Sequence, residues 1–460
     1  MDSKKLDISL DQFDKAYFIG IGGIGMSALA RYFHHLGWKV AGYDKTPSVL
    51  THELEAEGIQ VHYDDRGPSV DAQFQEISST LVVYTPAIPK NHRELLHFQH
   101  INAQLYKRSE ALGLITRSSK AIGVAGTHGK TTTSSLLAHV LASSSIKCNA
   151  FLGGIASNFD SNLVLDQSSE ITVIEADEFD RSFLRLRPFA TIITSTDPDH
   201  LDIYGDASYF REGFQLYADL VDPEGLTVLQ SKLDLTTKGA QKRYGVEDHS
   251  SDLSAQRLRY ENGHFLFDVS IGNEKWKDVE LGIPGIHNTE NALAVIAMSL
   301  FLGATEKEIR HGLKTFKGVK RRFEYKVRKD ELVYIDDYAH HPTELKALID
   351  SVKMLYPNKQ ITGVFQPHLF SRTRDFFDGF VQELSRLDET ILMPIYPARE
   401  EPISGITSDA LLEKIYSENK KILDPQEVID YLGNRKEGII LTIGAGDIDR
   451  IVEPLTKRLL

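Results

Sequence analysis

KAIGVAGTHGKTTT, residues 120–133, begins as an apolar strand, passes through a glycine-marked turn and enters a helix at Lys130. In such a turn backbone N–H groups converge on phosphate oxygens at the helix N-terminus, a lysine adds a point charge, and the next hydroxyl can ligate magnesium. Gly126, Thr127, His128, Gly129, Lys130, Thr131 and Thr132 are therefore assigned to a triphosphate, with Thr131 on the metal. The spacing departs from the common phosphate-loop pattern: Val124 stands five residues before Gly129, where that pattern has glycine, and Gly123 and Gly126 flank it instead. A strand, this turn and a helix in succession make the chain an α/β protein that consumes ATP.

Phosphoryl transfer needs acids to carry magnesium, and the next two strand patterns end in them. ITVIEAD (171–177) leads into EADE, Glu175 to Glu178, and TIITSTD (191–197) leads into DPDHLD, Asp197 to Asp202, which offers His200 as a further ligand. In an open parallel sheet the C-terminal strand ends share one crevice, so Glu175 and the Lys130 loop are expected to meet there. Upstream, GIGGIG sets Gly20, Gly22 and Gly25 between the strand AYFIG (16–20) and a helix over 26–36, with Asp44 ending the next strand, WKVAGYD. That arrangement holds a diphosphate near a helix N-terminus and an acid near a ribose hydroxyl; NAD, FAD and a UDP-sugar all satisfy it.

Downstream, the polar stretch 231–262 has little helical periodicity and reads as a β-rich excursion. IPGIHNTENALA (283–294) then turns into a helix with Asn288 and Asn291 near its start, and asparagine amides can read an adenine edge. The last unit carries KRRFE (320–324), DDYAHHPTE (336–344) and FQPHLFSRTRD (365–375), the latter two after strand patterns. Arg322, His340, His341, Arg372 and Arg374 are thereby expected to form an anion-binding rim.

At about 150 residues per domain, the 460-residue chain implies about three units. With 65 acidic against 52 basic residues it offers no general basic field for nucleic acid, so an anionic ligand must be held locally. The single cysteine, Cys148, excludes an intrachain disulfide framework and reads as a small buried hydrophobe. The N-terminal stretch lacks the apolar region of a signal peptide and no apolar run reaches membrane-span length, so a cytoplasmic protein without membrane insertion is expected. Oligomeric state is open.

These motifs, with EADEFDRSFL, DPDHLDIYGD, YPARE and IGAGDI, closely resemble the Mur ligase family over nearly the whole chain. The resemblance implies three domains: a UDP-substrate-binding Rossmann-like domain (1–118), a central ATP-binding phosphate-loop domain (119–319) and a C-terminal Rossmann-like closing domain (320–460). It also implies the reaction: ATP phosphorylates the lactyl carboxylate of UDP-N-acetylmuramate, and the amine of L-alanine displaces phosphate to form the amide of a peptidoglycan precursor. Residue by residue, Lys130 matches the group neutralising transferred charge, Thr131 and Glu175 ligands of one magnesium, and His200 the ligand of a second. Asn288 and Asn291 match adenine contacts, Arg322 an arginine reaching the γ-phosphate, and Asp337 a ribose or closure contact. Gly22, Gly23 and Ile24 match the loop under the UDP diphosphate, while His340 and Arg372 resemble groups near the muramyl substrate.

Two departures refine this. Phe214 stands where relatives that add later residues carry a carbamylated lysine, as suits the alanine-adding branch, and Leu369 stands where many of that branch carry arginine. Three other readings compete: a recycling ligase that joins a whole tripeptide to the same nucleotide, an NAD-dependent oxidoreductase built on GIGGIG, and a noncatalytic UDP-sugar sensor. DRSFLRLRP (180–188) and YPARE (396–400) fit alanine addition better than tripeptide addition. An oxidoreductase leaves GTHGKTTT unexplained, and a sensor leaves Lys130, Glu175 and His200 so.

Overall fold

AYFIG becomes β1 (Lys15–Ile19), buried at every position as a parallel strand covered on both faces must be. The computed structural model describes residues 9–85, 87–198, 206–261, 264–398 and 400–460. On one side of β1 lie β2 (Lys39–Tyr43) and then β3 (Gln60–His62), and on the other β4 (Thr80–Tyr84) and then β5 (Leu105–Lys107), all parallel. The strand order reverses beside β1, so the GIGGIG turn that follows it opens at a switch point, where such sheets bind ligands.

The second sheet is organised in the same way around β6 (Lys120–Ala125). Its parallel neighbours are β9 (Ile171–Glu175) and β10 (Ala190–Ile193); a hairpin of β7 (Asn149–Ala156) and β8 (Ser161–Val164) extends the sheet beyond β9. Past β10 come β11 (Leu226–Gln230) and β12 (Ala240–Val246). The polar stretch 231–262 is β-rich as expected, supplying β12 and β13 (Leu253–Glu261), and β14 (His264–Ile271) and β15 (Glu274–Leu281) continue the sheet beyond it. A third sheet runs β16 (Glu324–Arg328), β17 (Leu332–Asp337), β21 (Gly438–Ile443), β18 (Ile361–Phe365), β19 (Glu389–Leu392), β20 (Asn419–Ile422), with only β16 antiparallel.

The chain divides into two compact units, Met1–Gln256 with Val269–Trp276 and Asn291–Lys314, and Arg257–Asp268 with Lys277–Glu290 and Thr315–Leu460. Within the first, one hydrophobic core runs from the N-terminal sheet into the second through Phe18, Phe33, Ile174, Phe183 and Phe214. The helix Ile24–His35 locks onto the β7–β8 hairpin: Asn162 Nδ2 donates to the Ile24 carbonyl at 2.9 Å, and the Tyr32 and Phe151 rings lie 5.2 Å apart. Phe214 is fully buried, edge-on to Phe183 at 5.3 Å, so this position belongs to the core rather than to an ionisable group. Cys148 is likewise fully buried, and burial pushes its thiol up to about 12, as a packing residue requires.

On the opposite face of the N-terminal sheet, Tyr17 donates its hydroxyl proton to Glu94 Oε2 at 2.9 Å and meets His62 Nε2 at 2.8 Å. Glu94 is fully buried, and Arg66 N–H donates to its other oxygen at 3.0 Å, beside a cavity of about 230 Å³. Burial pushes the Glu94 carboxyl up to about 7 from an ordinary value of 4.5. A raised acid contributes fully below about 4.5, where folded and unfolded chains both hold the proton, and loses its contribution as pH rises through 7. Glu94→Gln keeps the shape and cannot ionise. Its stability is expected to equal the wild type's near pH 4.5 and to exceed it by about 3 kcal/mol at pH 8, read by urea titration; a constant difference overturns this.

Candidate active site

The phosphate loop owes its path to two glycines. Gly126 has φ +137° and Gly129 φ +82°, and a Cβ at either would strike Thr194 Oγ1 at 2.1 Å or Asn291 Oδ1 at 2.8 Å. The loop is braced on the segment after β10: Thr194 Oγ1 donates to the His128 carbonyl at 2.5 Å, His128 N–H to Ser195 Oγ at 2.8 Å, and Thr127 Oγ1 to the Asp197 carbonyl at 2.6 Å. His128 Nε2 lies 3.5 Å from Asp197 Oδ2. Thr127 and His128 thus shape the loop through their side chains, while Thr132 is half-buried at the helix start.

Lys130 opens the helix Lys130–Ala142, and its ammonium lies 2.8 Å from the carboxylate of Glu178. Neighbouring acids, Glu178 foremost, hold the ammonium above its ordinary value against the effect of burial. Thr131 Oγ1 donates to Glu175 Oε1 at 3.1 Å, so the β9 acid and the loop meet as expected. Gly153 N–H and Ser134 Oγ hold the other Glu175 oxygen at 3.1 and 3.4 Å. A hydroxyl and a carboxylate converging beside a glycine cradle are the hard-oxygen donors that suit magnesium next to phosphates. His200 falls outside the described residues.

Beside this centre a cleft of about 340 Å³ is lined by Gly23, Ile24, Gly25, Gly153, Glu175 and Asp177. Arg108 also lines it, its guanidinium so close over Gly25 that a Cβ there would meet Nη1 at 2.6 Å. The cleft thus carries both acidic and cationic groups. Gly23 caps the helix Ile24–His35, and Ile24 is 47% exposed. Asp44 braces the turn: its Oδ2 accepts the Gly22 N–H at 2.7 Å and its Oδ1 the Lys45 N–H at 2.8 Å. Asn291, 6% exposed, reaches Gly129, whereas the buried Asn288 amide donates to the Pro284 carbonyl at 2.7 Å, a local bond across the turn into its helix.

The second unit assembles its own cluster at the ends of β17 and β18. Arg322 and Arg321 lie over the Tyr338 ring at 4.8 and 5.1 Å, and Asp337 accepts the N–H groups of Phe323 and Ala339 at 2.7 and 2.8 Å. Burial pushes Asp337 up to about 6 despite Arg322. The His340 and His368 rings lie 6.3 Å apart, and Arg372, 8% exposed, approaches His368 Nδ1 at 3.3 Å. Burial lowers both histidines, His368 to about 4 with help from Arg372, so both imidazoles are neutral near pH 7. Of the residues expected to form a rim, Arg322, His340 and Arg372 gather in this cluster around Tyr338 and His368. His341 Nδ1 accepts the Thr343 N–H at 3.3 Å and caps the helix Pro342–Leu355, and Arg374 is an exposed partner of Asp375. Leu369, at φ +69°, begins the short helix Phe370–Asp375 that carries Arg372.

Gly153, Arg108, Ser134 and Glu178 join the site without having been assigned from sequence. Glu178 stands inside the EADE cluster, but a lone arginine at a helix start or a glycine in a strand carries no spacing signal.

Comparison with known proteins agrees with this architecture. Residues 15–120 match the Mur ligase family catalytic domain, residues 124–299 the Mur ligase middle domain, and residues 321–446 the Mur ligase glutamate ligase domain. The chain is 48% identical over 452 residues to a UDP-N-acetylmuramate–L-alanine ligase of Flavobacterium psychrophilum, covering 98% of this chain and 99% of that one. It is 46% identical over 453 residues to the enzyme of that name from Parabacteroides distasonis, covering 98% of each. The crystal structure of a UDP-N-acetylmuramate-alanine ligase from Thermotoga maritima superposes with a TM-score of 0.79 at 27% identity, over 96% of this chain and 98% of that one. With its phosphate loop, its metal-type acid and its three matched domains, the chain belongs to the Mur ligase family.

Proposed function

We propose that this chain joins L-alanine to the lactyl carboxylate of UDP-N-acetylmuramate, with ATP converted to ADP and phosphate through an acyl phosphate, as a cytoplasmic step of peptidoglycan precursor synthesis. The observation that carries this is the near-full-length identity to ligases of that name, joined to a cleft in one unit that is lined by both the glycine turn and Glu175. The UDP diphosphate is read onto Gly22, Gly23 and Ile24 with Arg108 beside them, leaving the sugar and its carboxylate to extend toward Glu175. Bound at Thr131 and Glu175, with His200 on a second ion, magnesium supplies charge neutralisation of the phosphates. Lys130 neutralises the transferred phosphoryl group.

Asn288 and Asn291 are read as adenine contacts, Asp337 as a ribose or closure contact, and Arg322 as the charge that the 320–460 domain brings to the γ-phosphate. An acyl phosphate hydrolyses readily, so a closing domain that excludes water fits the chemistry. His340 and Arg372 hold the muramyl substrate in this reading. The attacking amine must be neutral, and His368, held near 4, binds a proton too weakly to serve as its base.

The test is ADP release with purified protein, magnesium, UDP-N-acetylmuramate and a panel of amines. Release is expected to require L-alanine. Release that follows a tripeptide instead overturns the choice in favour of the recycling reaction, and UDP-sugar binding without any release favours the sensor.

A further inference from the structure

Glu178 has no role in the chemistry above, yet it forms a buried ion pair with Lys130. It is 1% exposed, and its two carboxylate oxygens lie 2.9 and 2.8 Å from Lys130 Nζ. The same ammonium donates to the Gly126 carbonyl at 2.6 Å and approaches the Thr127 carbonyl at 3.4 Å. An ammonium carries three protons, and these three partners account for them all. The lysine that must meet phosphate is folded back onto its own loop and an acid.

The two partners differ in freedom to move. The main chain of Glu178 is fixed at the cap of a tight 3-10 segment, Phe179–Arg185, by Arg181 N–H on the Glu178 carbonyl at 2.9 Å and Ser182 Oγ on the Asp177 carbonyl at 2.8 Å, and burial leaves its short side chain little room. Lys130 has a four-carbon flexible stem. When a triphosphate enters, the lysine is the group that swings, and phosphate must win it from the carboxylate.

We propose that Glu178 is a latch, a positioning residue that holds Lys130 away from the phosphates until nucleotide binds and takes it back as ADP leaves. This rests on reading the Lys130 loop as the ATP site. A site whose competent form is only partly populated binds with an affinity reduced by that fraction, so removing the competing charge should tighten nucleotide binding. A residue that merely supports the fold gives the opposite result, because loosening its surroundings weakens binding or leaves it unchanged.

The experiment is calorimetric titration of the full chain with ADP and with the β,γ-methylene analogue of ATP, in magnesium and without the UDP-substrate. Glu178→Gln, nearly isosteric and uncharged, is expected to bind both about tenfold more tightly than the wild type. Should that variant fail to fold, Glu178→Asp, which keeps the charge but withdraws it by one methylene, is expected to tighten binding about threefold. Unchanged or weaker binding by the folded variant overturns the latch alone. A wild type that binds neither nucleotide overturns the ATP reading, and the latch with it.

Discussion

Lys130→Ala is expected to lower substrate-dependent ADP release about 10³-fold or more while leaving UDP affinity unchanged. Charge that develops on a transferring phosphoryl group is stabilised by preorganised cations, and no neighbouring cation approaches the loop carbonyls as Lys130 does among the described contacts. The Gly22 turn, read as the diphosphate site, is held by Asp44 at the end of β2, a separate set of contacts, so affinity for UDP should not depend on the lysine. A stability effect must be kept apart from this. Removing Lys130 leaves the buried Glu178 charge uncompensated, at a cost of about 3 kcal/mol. The pair Lys130→Met with Glu178→Gln removes both charges; it should recover the melting temperature and still fail to turn over. Equal loss of UDP binding and turnover in the folded double variant would show that the two sites are not divided as described.

The parts of this site legible in sequence are those whose chemistry fixes a local spacing. GTHGKTTT must place lysine and hydroxyl at a helix start, and EADE must end a strand, so the crevice shared by parallel strand ends brings the loop to Glu175, where Thr131 meets it across 44 residues of sequence. Strand ends in parallel sheets converge, which also brings His340 and Arg372 into one cluster. Residue type alone does not show the local bonds that other candidates make. Asp44 and His341 carry the right chemistry for ribose or anion, and each also holds a backbone N–H, of a turn and of a helix start. Asn288 likewise bonds the Pro284 carbonyl.

What sequence could not supply was contact between segments with no shared motif. Arg108 reaches Gly25 from the start of the helix Arg108–Arg117, and nothing in RSEALG marks it. The edge strands were hidden for a related reason. β16 reads EYKVR and is half-exposed, so its sequence lacks the apolar run that identifies β17 and β21 beside it. Burial on both faces writes a strand into sequence, and an edge position erases it.

Gly153→Ala is the second large effect, and it should separate activity from stability. Gly153 has no left-handed backbone to explain it; its reason is close approach. A Cβ there would lie 2.2 Å from Glu175 Oε1 and 2.4 Å from Oε2, while the Gly153 N–H donates to Oε2 at 3.1 Å. The colliding atoms are the far end of a flexible side chain, so the fold can absorb the methyl by moving the Glu175 carboxylate. That movement breaks the 3.1 Å contact with Thr131 and separates the two oxygens read as magnesium ligands. Groups that orient a metal ligand typically contribute 10- to 100-fold in metal affinity or activity, and here the ligand itself is displaced, so turnover should fall about 100-fold. The melting temperature should stay within about 2 °C of the wild type, because surrounding packing is intact. Raising magnesium should recover part of the lost rate, since the variant's defect is a weakened cation site and not a lost phosphate loop. If turnover is unchanged in the folded variant, Glu175 is not the metal ligand; if magnesium recovers nothing, its displacement acts by another route.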